Sequence, residues 1–244
     1  MPDPSSHSAE SRLARIRARI RTAAESSHRD PESITLLAVG KTKPVDDLLE
    51  LARQGQRHFG ESYVQEALEK QRTLAHRHPE LPLIWHFIGP IQSNKTRDLA
   101  SRFQWVHSVD RIKIARRLQE QRPGNLPPLN LCLQVNISGE AGKSGVPPDE
   151  VAELARQILP LDRLRLRGLM AIPARETDPV KQRLPFAALR KLLDALNKTW
   201  PTQPLDTLSM GMSADLEAAV AEGATLVRIG TALFGPRAPR KDPD

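Results

Sequence analysis

The sequence runs to 244 residues, 39% apolar and 27% charged, enough chain to bury a core without disulfides or metal ions as staples. Its single cysteine, Cys132, excludes an internal disulfide framework and any four-cysteine zinc site. The net charge of +7, from 36 basic against 29 acidic side chains, suits an acidic small ligand without naming one. No stretch approaches the roughly 18 apolar residues of a membrane span, and the opening MPDPSSHSAESR has no apolar signal core. The expected location is cytoplasmic.

Taken in chain order, strand-like apolar runs alternate with helical patterns. Leu13, Ile16, Ile20 and Ala23 recur at helical spacing, so the interleaved Arg12, Arg15, Arg17, Arg19 and Arg21 read as the wet side of a first amphipathic helix. A nucleic-acid face is the sharper alternative, but aromatics make up only 4% of the chain and no recognition motif accompanies the arginines. Ile34 to Val39 is the first strand, and Pro44 opens a helix with Asp46 and Asp47 in its first turn. His58-Phe59 is a short second strand, followed by a helix with Val64, Ala67, Leu68 and Ala75 on one face. His76 and His78 fall in a loop with no matching carboxylate or cysteine cluster, so they suggest no metal site.

Leu83 to Ile88 is the third strand, with a short helix from Asn94, and Gln104 to Val109 is the fourth. Asp110 is placed to cap a helix bearing Ile112, Ala115 and Leu118. Leu129 to Ile137 follows, with Cys132 buried and inert in it, then a helix with Val151, Leu154, Ala155 and Ile158. Leu164 to Ile172 precedes a helix with Phe186, Leu189, Leu193 and Leu196. Leu205 to Met210 precedes a helix with Leu216, Ala219 and Val220, and Thr225 to Ile229 is the eighth strand. The Pro-rich stretches at Pro123 to Pro128 and Pro147-Pro148 fit loops.

Eight strands, each but the last clearly followed by a helix, match the count and the usual size, about 250 residues, of an α/β (β/α)₈ TIM barrel, here with an extra N-terminal helix. A doubly wound open sheet is the alternative, since alternation does not decide closure. Residues 1–8 and 237–244 read as flexible tails around one domain over 9–236.

In a barrel, chemistry belongs at the C-terminal ends of the strands. Gly40-Lys41-Thr42-Lys43-Pro44 follows strand one, and two lysines this close raise each other's cost of protonation, favouring a neutral amine nucleophile. Two surface lysines in a loop are the plainer reading. Gly40-Lys41-Thr42 and Gly142-Lys143-Ser144 are not phosphate-binding P-loops, because Thr35 and Ile137 stand where the earlier glycine must be. Ser213, as an N-cap after strand seven, and Gly230-Thr231, closing strand eight, form a candidate anion site. Arg228 shares the face of Leu226 and Gly230, so an inward guanidinium there needs a carboxylate or a ligand acceptor. His86, in Trp85-His86-Phe87-Ile88-Gly89-Pro90, is a hydrogen-bonded core residue or a pocket wall.

Seven blocks in order are similar to one family. They are Leu36 to Pro44, Phe59 to Glu66, Trp85 to Lys95, Val135-Asn136-Ile137 with Lys143-Ser144-Gly145, Gly168 to Pro173, Leu208 to Ser213, and Val227 to Gly235. Together they resemble the pyridoxal phosphate homeostasis proteins, the YggS/PROSC family, over about Ala9 to Pro236. The resemblance implies a barrel similar to the N-terminal domain of alanine racemase, with pyridoxal 5′-phosphate as cofactor, held as an aldimine (a Schiff base) on Lys41. It further implies Ser213, Gly230 and Thr231 as the phosphate cradle and Arg228 as donor to the pyridine nitrogen. Lys43, His86, Met170 and Ser62 complete the expected cofactor-binding set, with Lys43 lowering the pKa of Lys41. Gly40 and Ser62 depart from the family's usual serine and asparagine.

Related racemases use a second base, a tyrosine from a further C-terminal domain; here the only tyrosine is Tyr63 and nine residues follow Gly235. The expected role is therefore a non-catalytic monomer that sequesters the cofactor and delivers it to apo-enzymes. An amino-acid racemase or lyase using the same cofactor is the alternative.

Overall fold

The computed structural model describes residues 8–140 and 142–235. Helix α1 (Ala9–Ser26) leads into eight strands: β1 (Thr35–Val39), β2 (His58–Glu61), β3 (Ile84–Phe87), β4 (Trp105–Val109), β5 (Leu129–Gln134), β6 (Leu164–Met170), β7 (Thr207–Ser209) and β8 (Leu226–Ile229). Between them run α2 (Val45–Arg53), α3 (Val64–Arg77), α4 (Thr96–Arg102), α5 (Ile112–Gln121), α6 (Val151–Ile158), α7 (Pro179–Thr199) and α8 (Leu216–Ala221). All strand pairs are parallel, and β8 pairs back onto β1 with Leu36 opposite Val227 and Ala38 opposite Ile229. That closure rejects the open doubly wound sheet and gives the (β/α)₈ barrel.

The strands are nearly continuously buried, as expected where one face fills the barrel and the other lies under helices. The helices show the complementary stripe. On α6, Val151, Leu154, Ala155 and Ile158 are all buried, at i, i+3, i+4 and i+7. Burying such an aliphatic side chain stabilises the fold by about 1.5–3 kcal/mol. Helix α1 packs against α8 with Leu13, Ile16 and Ile20 inward. Its arginines are not uniformly a wet face: Arg19 forms a fork to Glu217 of α8 (2.8 and 2.9 Å) and also donates to Ser213 O (3.1 Å).

Several expectations need correction. Asp110 does not cap α5; Arg111 takes the N-cap position without a side-chain bond, and Asp110 Oδ1 accepts from the Arg111 guanidinium instead. Asp215, rather than Ser213, holds the N-cap position of α8. Helix α3 continues through His76, with His78 at its C-cap, and buries Lys70 and Leu74 where Ala75 was expected inward. The strands end at Gln134 and Met170, short of Ile137 and Ile172, with only an isolated parallel bridge from Val135 to Val146 beyond β5. A short helix α9 (Thr231–Phe234) follows β8, completing the eight βα units. The expectation of flexible tails concerns residues 1–8 and 237–244, which lie outside the described residues apart from Ser8, the N-cap of α1. No helix among the described residues is long and apolar enough to cross a membrane.

Candidate functional site

The loop after β1 is held from below by a buried charge cluster. Lys70 of α3 donates to Gly40 O (2.7 Å), Glu61 Oε1 (2.8 Å) and Glu66 Oε1 (2.5 Å). Glu66 Oε1 also accepts from the amide of Thr42 (2.6 Å), a residue held at φ 63°. Lys41 therefore stands on a backbone fixed on both sides. The absence of a side chain at position 40 has a steric reason, since a Cβ there would lie 2.9 Å from Glu61 Oε1 and 3.0 Å from Leu48. Glu61 is fully buried, one of its oxygens (Oε2) has no hydrogen-bond partner among the described residues, and burial pushes its carboxyl up to about 7 against the opposing pull of Lys70.

Above this loop, at the C-terminal mouth, lies a cavity of about 290 Å³. Lys41 and Lys43 line it from the β1 loop, Ser213 and Asp215 from the β7 loop, and Arg228, Gly230 and Thr231 from the end of β8. Val39, Ile88, Ile172 and Met212 supply apolar walls. Lys43 is steadied by a bond from its Nζ to Phe234 O (3.0 Å). Asp215 Oδ1 accepts from the Met212 amide (2.5 Å), and burial raises its pKa.

Arg228 is the most constrained of these groups. Its Nη1 donates to Ser209 O (2.5 Å) and Ser209 Oγ (2.8 Å), and its Nη2 to Ala171 O (2.8 Å). These bonds commit three of its five N–H groups to the barrel, and the guanidinium borders the cavity. Burial lowers its pKa to about 10, so it remains a cation and donor at neutral pH. Its partners are thus a hydroxyl and two carbonyls, rather than a bonded carboxylate, with Asp215 acting only at longer range.

The donor set suits a phosphorylated aromatic aldehyde. An amine stands on a loop with a pinned backbone, a fixed cation donor faces a small partly apolar space, and the hydroxyls of Ser213 and Thr231 and the helix-start amides of Gly230 and Thr231 line the same cavity. The structure does not bring His86, Met170 or Ser62 to this lining. His86 and Met170 are fully buried, and His86 points along the barrel interior toward the opposite mouth. Ser62, half-buried, lies just beyond the end of β2. Cys132 is buried in β5, and burial pushes its thiol up to about 12.

Two features escaped the sequence reading. Arg175 and Glu176, in the loop after β6, line the cavity, and their position at a strand's C-terminal end was the available signal. The second is a row of histidines, His58 on β2, His86 on β3 and His107 on β4, bonded ring to ring. Their appearance on three consecutive strands was the signal. Register supplies the rest: His58 pairs with Ile84, two residues before His86, and His86 pairs with Trp105, two residues before His107. The three inward positions therefore climb diagonally through the barrel.

Residues 11–238 match the family model for the alanine racemase N-terminal domain. A protein of Pseudomonas aeruginosa named pyridoxal phosphate homeostasis protein is 60% identical over 225 residues, spanning 92% of this chain and 94% of that one. One of the same name from Escherichia coli K12 is 52% identical over 229 residues, spanning 92% and 95%. The solved structure of PipY from Synechococcus elongatus PCC7942, described as having PLP bound, superposes with a TM-score of 0.80 at 37% identity, covering 93% of this chain and 100% of that one. Alanine racemase from Clostridium difficile 630 shares the fold alone, with a TM-score of 0.68 at 15% identity over 93% of this chain and 58% of that one.

Proposed function

From the membership of this chain in the pyridoxal phosphate homeostasis proteins, within the alanine racemase N-terminal domain family, we propose that it binds pyridoxal 5′-phosphate at the C-terminal mouth and keeps it for delivery, without turning over an amino acid. The observation that carries the reading is the convergence of Lys41 and Arg228 on one cavity, Lys41 on a loop whose backbone is pinned at Gly40 and Thr42 and Arg228 through its own hydrogen bonds. Bound there, the cofactor supplies an aldehyde that condenses with amines. Lys41, on the β1 loop at the cavity, would be the amine that holds the cofactor through its aldehyde, with water as the other product. Arg228, a cation at the cavity edge, would donate to the ring nitrogen and so favour its unprotonated form. Ser213, Gly230 and Thr231 would hold the phosphate, with Lys43 adding positive charge. An unprotonated ring would be a weaker electron sink, but racemase-like sites share this arrangement, so Arg228 alone does not separate carriage from catalysis.

Inversion at an amino-acid α-carbon requires two bases on opposite faces. Lys41 and Lys43 come from the same loop, and Tyr63 is 45% exposed and outside the cavity lining. In the same reading the domain spans residues 9–236 and acts as a cytoplasmic monomer with apo-enzymes as recipients. The test is borohydride reduction of the protein incubated with pyridoxal phosphate, followed by peptide mass spectrometry. A phosphopyridoxyl group on Lys41 is expected, and its absence with excess cofactor overturns the assignment. Release of α-deuterium from added amino acids would replace carriage with racemase or lyase chemistry.

A further inference from the structure

A continuous hydrogen-bonded chain joins the cavity at the C-terminal mouth to the opposite end of the barrel. From Arg228 Nη1 it passes to Ser209 Oγ (2.8 Å), then to His107 Nδ1 (2.8 Å). From His107 Nε2 it reaches His86 Nδ1 (2.9 Å), and from His86 Nε2 it reaches His58 Nδ1 (2.9 Å). Ser209, His86 and His107 are buried, whereas His58 is half-buried. Both His58 and His86 border a second cavity of about 330 Å³, lined also by Thr35, Trp105, Arg167 and Asp206.

We propose that Arg228 gives this chain a single direction, and that Ser209 and His107 are positioning residues that fix the guanidinium at the edge of the cavity, where it would meet the cofactor's ring nitrogen, while presenting its polarity to the far mouth as the Nε2–H of His58. The direction follows from the donor inventory. An arginine only donates, so Ser209 Oγ accepts from it. Among the described residues the structure gives Ser209 Oγ one other partner, His107 Nδ1, so the hydroxyl proton goes there. A neutral imidazole carries one N–H, so His107 must hold its proton on Nε2 and donate to His86. The same step repeats from His86 to His58.

Neutrality of the rings is supported by their surroundings. Burial drives His86 well below the ordinary histidine range and His107 down to about 3, Arg228 adding to the latter. Burial also lowers His58. Reversing any ring would set two N–H groups, or two lone pairs, against each other inside the barrel, where an unmet polar group has no water to turn to. Trp105, stacked on His86 with ring centroids 5.4 Å apart and 11° between planes, limits rotation of the central ring.

The chain's direction stands independently of any ligand; the role toward the ring nitrogen rests on the function proposed above. The first experiment uses cofactor-free protein labelled with ¹⁵N in histidine, read by long-range proton–nitrogen correlation at neutral pH. His58, His86 and His107 are expected each as a single Nε2–H tautomer. An Nδ1–H tautomer or a mixture at His86 or His107 overturns the proposal. In Arg228→Met the bias is removed, and mixed tautomers are expected as far as His58; unchanged tautomers there overturn it. If that variant does not fold, His58→Gln, whose amide oxygen can accept from His86, is expected to leave His86 and His107 unchanged, and a switch to Nδ1–H overturns the proposal. For the positioning role, pyridoxal phosphate is added to wild type and to Ser209→Ala. A shifted absorption band in the variant is expected, and an identical band overturns that role. No band in wild type would tell against cofactor binding, and with it the positioning role, while the cofactor-free spectra still decide the direction of the chain.

Discussion

Replacing Glu61 with glutamine removes one charge from a place where almost no solvent screens it. The wild-type carboxyl is fully buried, bonded to Lys70 at 2.8 Å through one oxygen and, among the described residues, without a partner at the other. Burial raises it from the ordinary 4.5 to about 7, Lys70 only partly compensating. Because the folded value lies above the unfolded one, the stabilising contribution is fully present below pH 4.5 and is lost as pH rises through 7. The full difference amounts to about 3 kcal/mol, of which about 2.5 kcal/mol falls between pH 5 and 8. Glutamine keeps an acceptor for Lys70, and its unpartnered amide contributes only a constant offset across that range. Urea melts of both proteins at pH 5, 6, 7 and 8 should therefore show wild type losing about 2.5 kcal/mol relative to Glu61→Gln, or about 5–10 °C in Tm for a chain of this size. His86 and His107, whose folded values are depressed, act in the opposite direction, costing stability as pH falls, but they are common to both proteins and cancel in the difference. Parallel stability curves, or a wild type that gains on the variant toward pH 8, would refute the reasoning.

Other perturbations have equally definite outcomes. Gly211 sits at φ 92°, and a Cβ there would lie 2.5 Å from that of Ala219, so Gly211→Ala should cost about 1–3 kcal/mol in chemical denaturation. A cost below a few tenths would mean the β7 loop is not held in this conformation. Leu118 is fully buried on α5, and Leu118→Ala should cost about 2–5 kcal/mol by urea melting; a negligible loss would contradict its packing. Cys132, buried with its thiol raised to about 12, should resist iodoacetamide at pH 8 in the native protein and react fully in urea. Rapid native labelling would contradict its burial.

Much of the barrel was written in local pattern. The alternation of buried runs such as Leu36–Ala38 and Leu131–Leu133 with helical stripes such as Val151, Leu154, Ala155 and Ile158 needs only nearest-neighbour geometry, so strand count and element type were legible along the chain. Lys41, Ser213, Arg228, Gly230 and Thr231 were legible for a related reason: in this architecture position at a strand's C-terminal end already implies one shared face. Closure was not, because the pairing of Leu36 with Val227 joins segments that no local pattern connects. Nor was the cap of α8, where Asp215 rather than Ser213 takes the N-cap position while its carboxylate meets the Met212 amide. His86 marks the limit most sharply. The sequence set it in a strand and gave it an inward or pocket-facing choice, but barrel stagger alone decided that its two nitrogens would meet His58 and His107 instead of the cavity beside Lys41. Side chains on one strand are ordered by the chain itself; side chains on different strands meet only where register and shear bring them together.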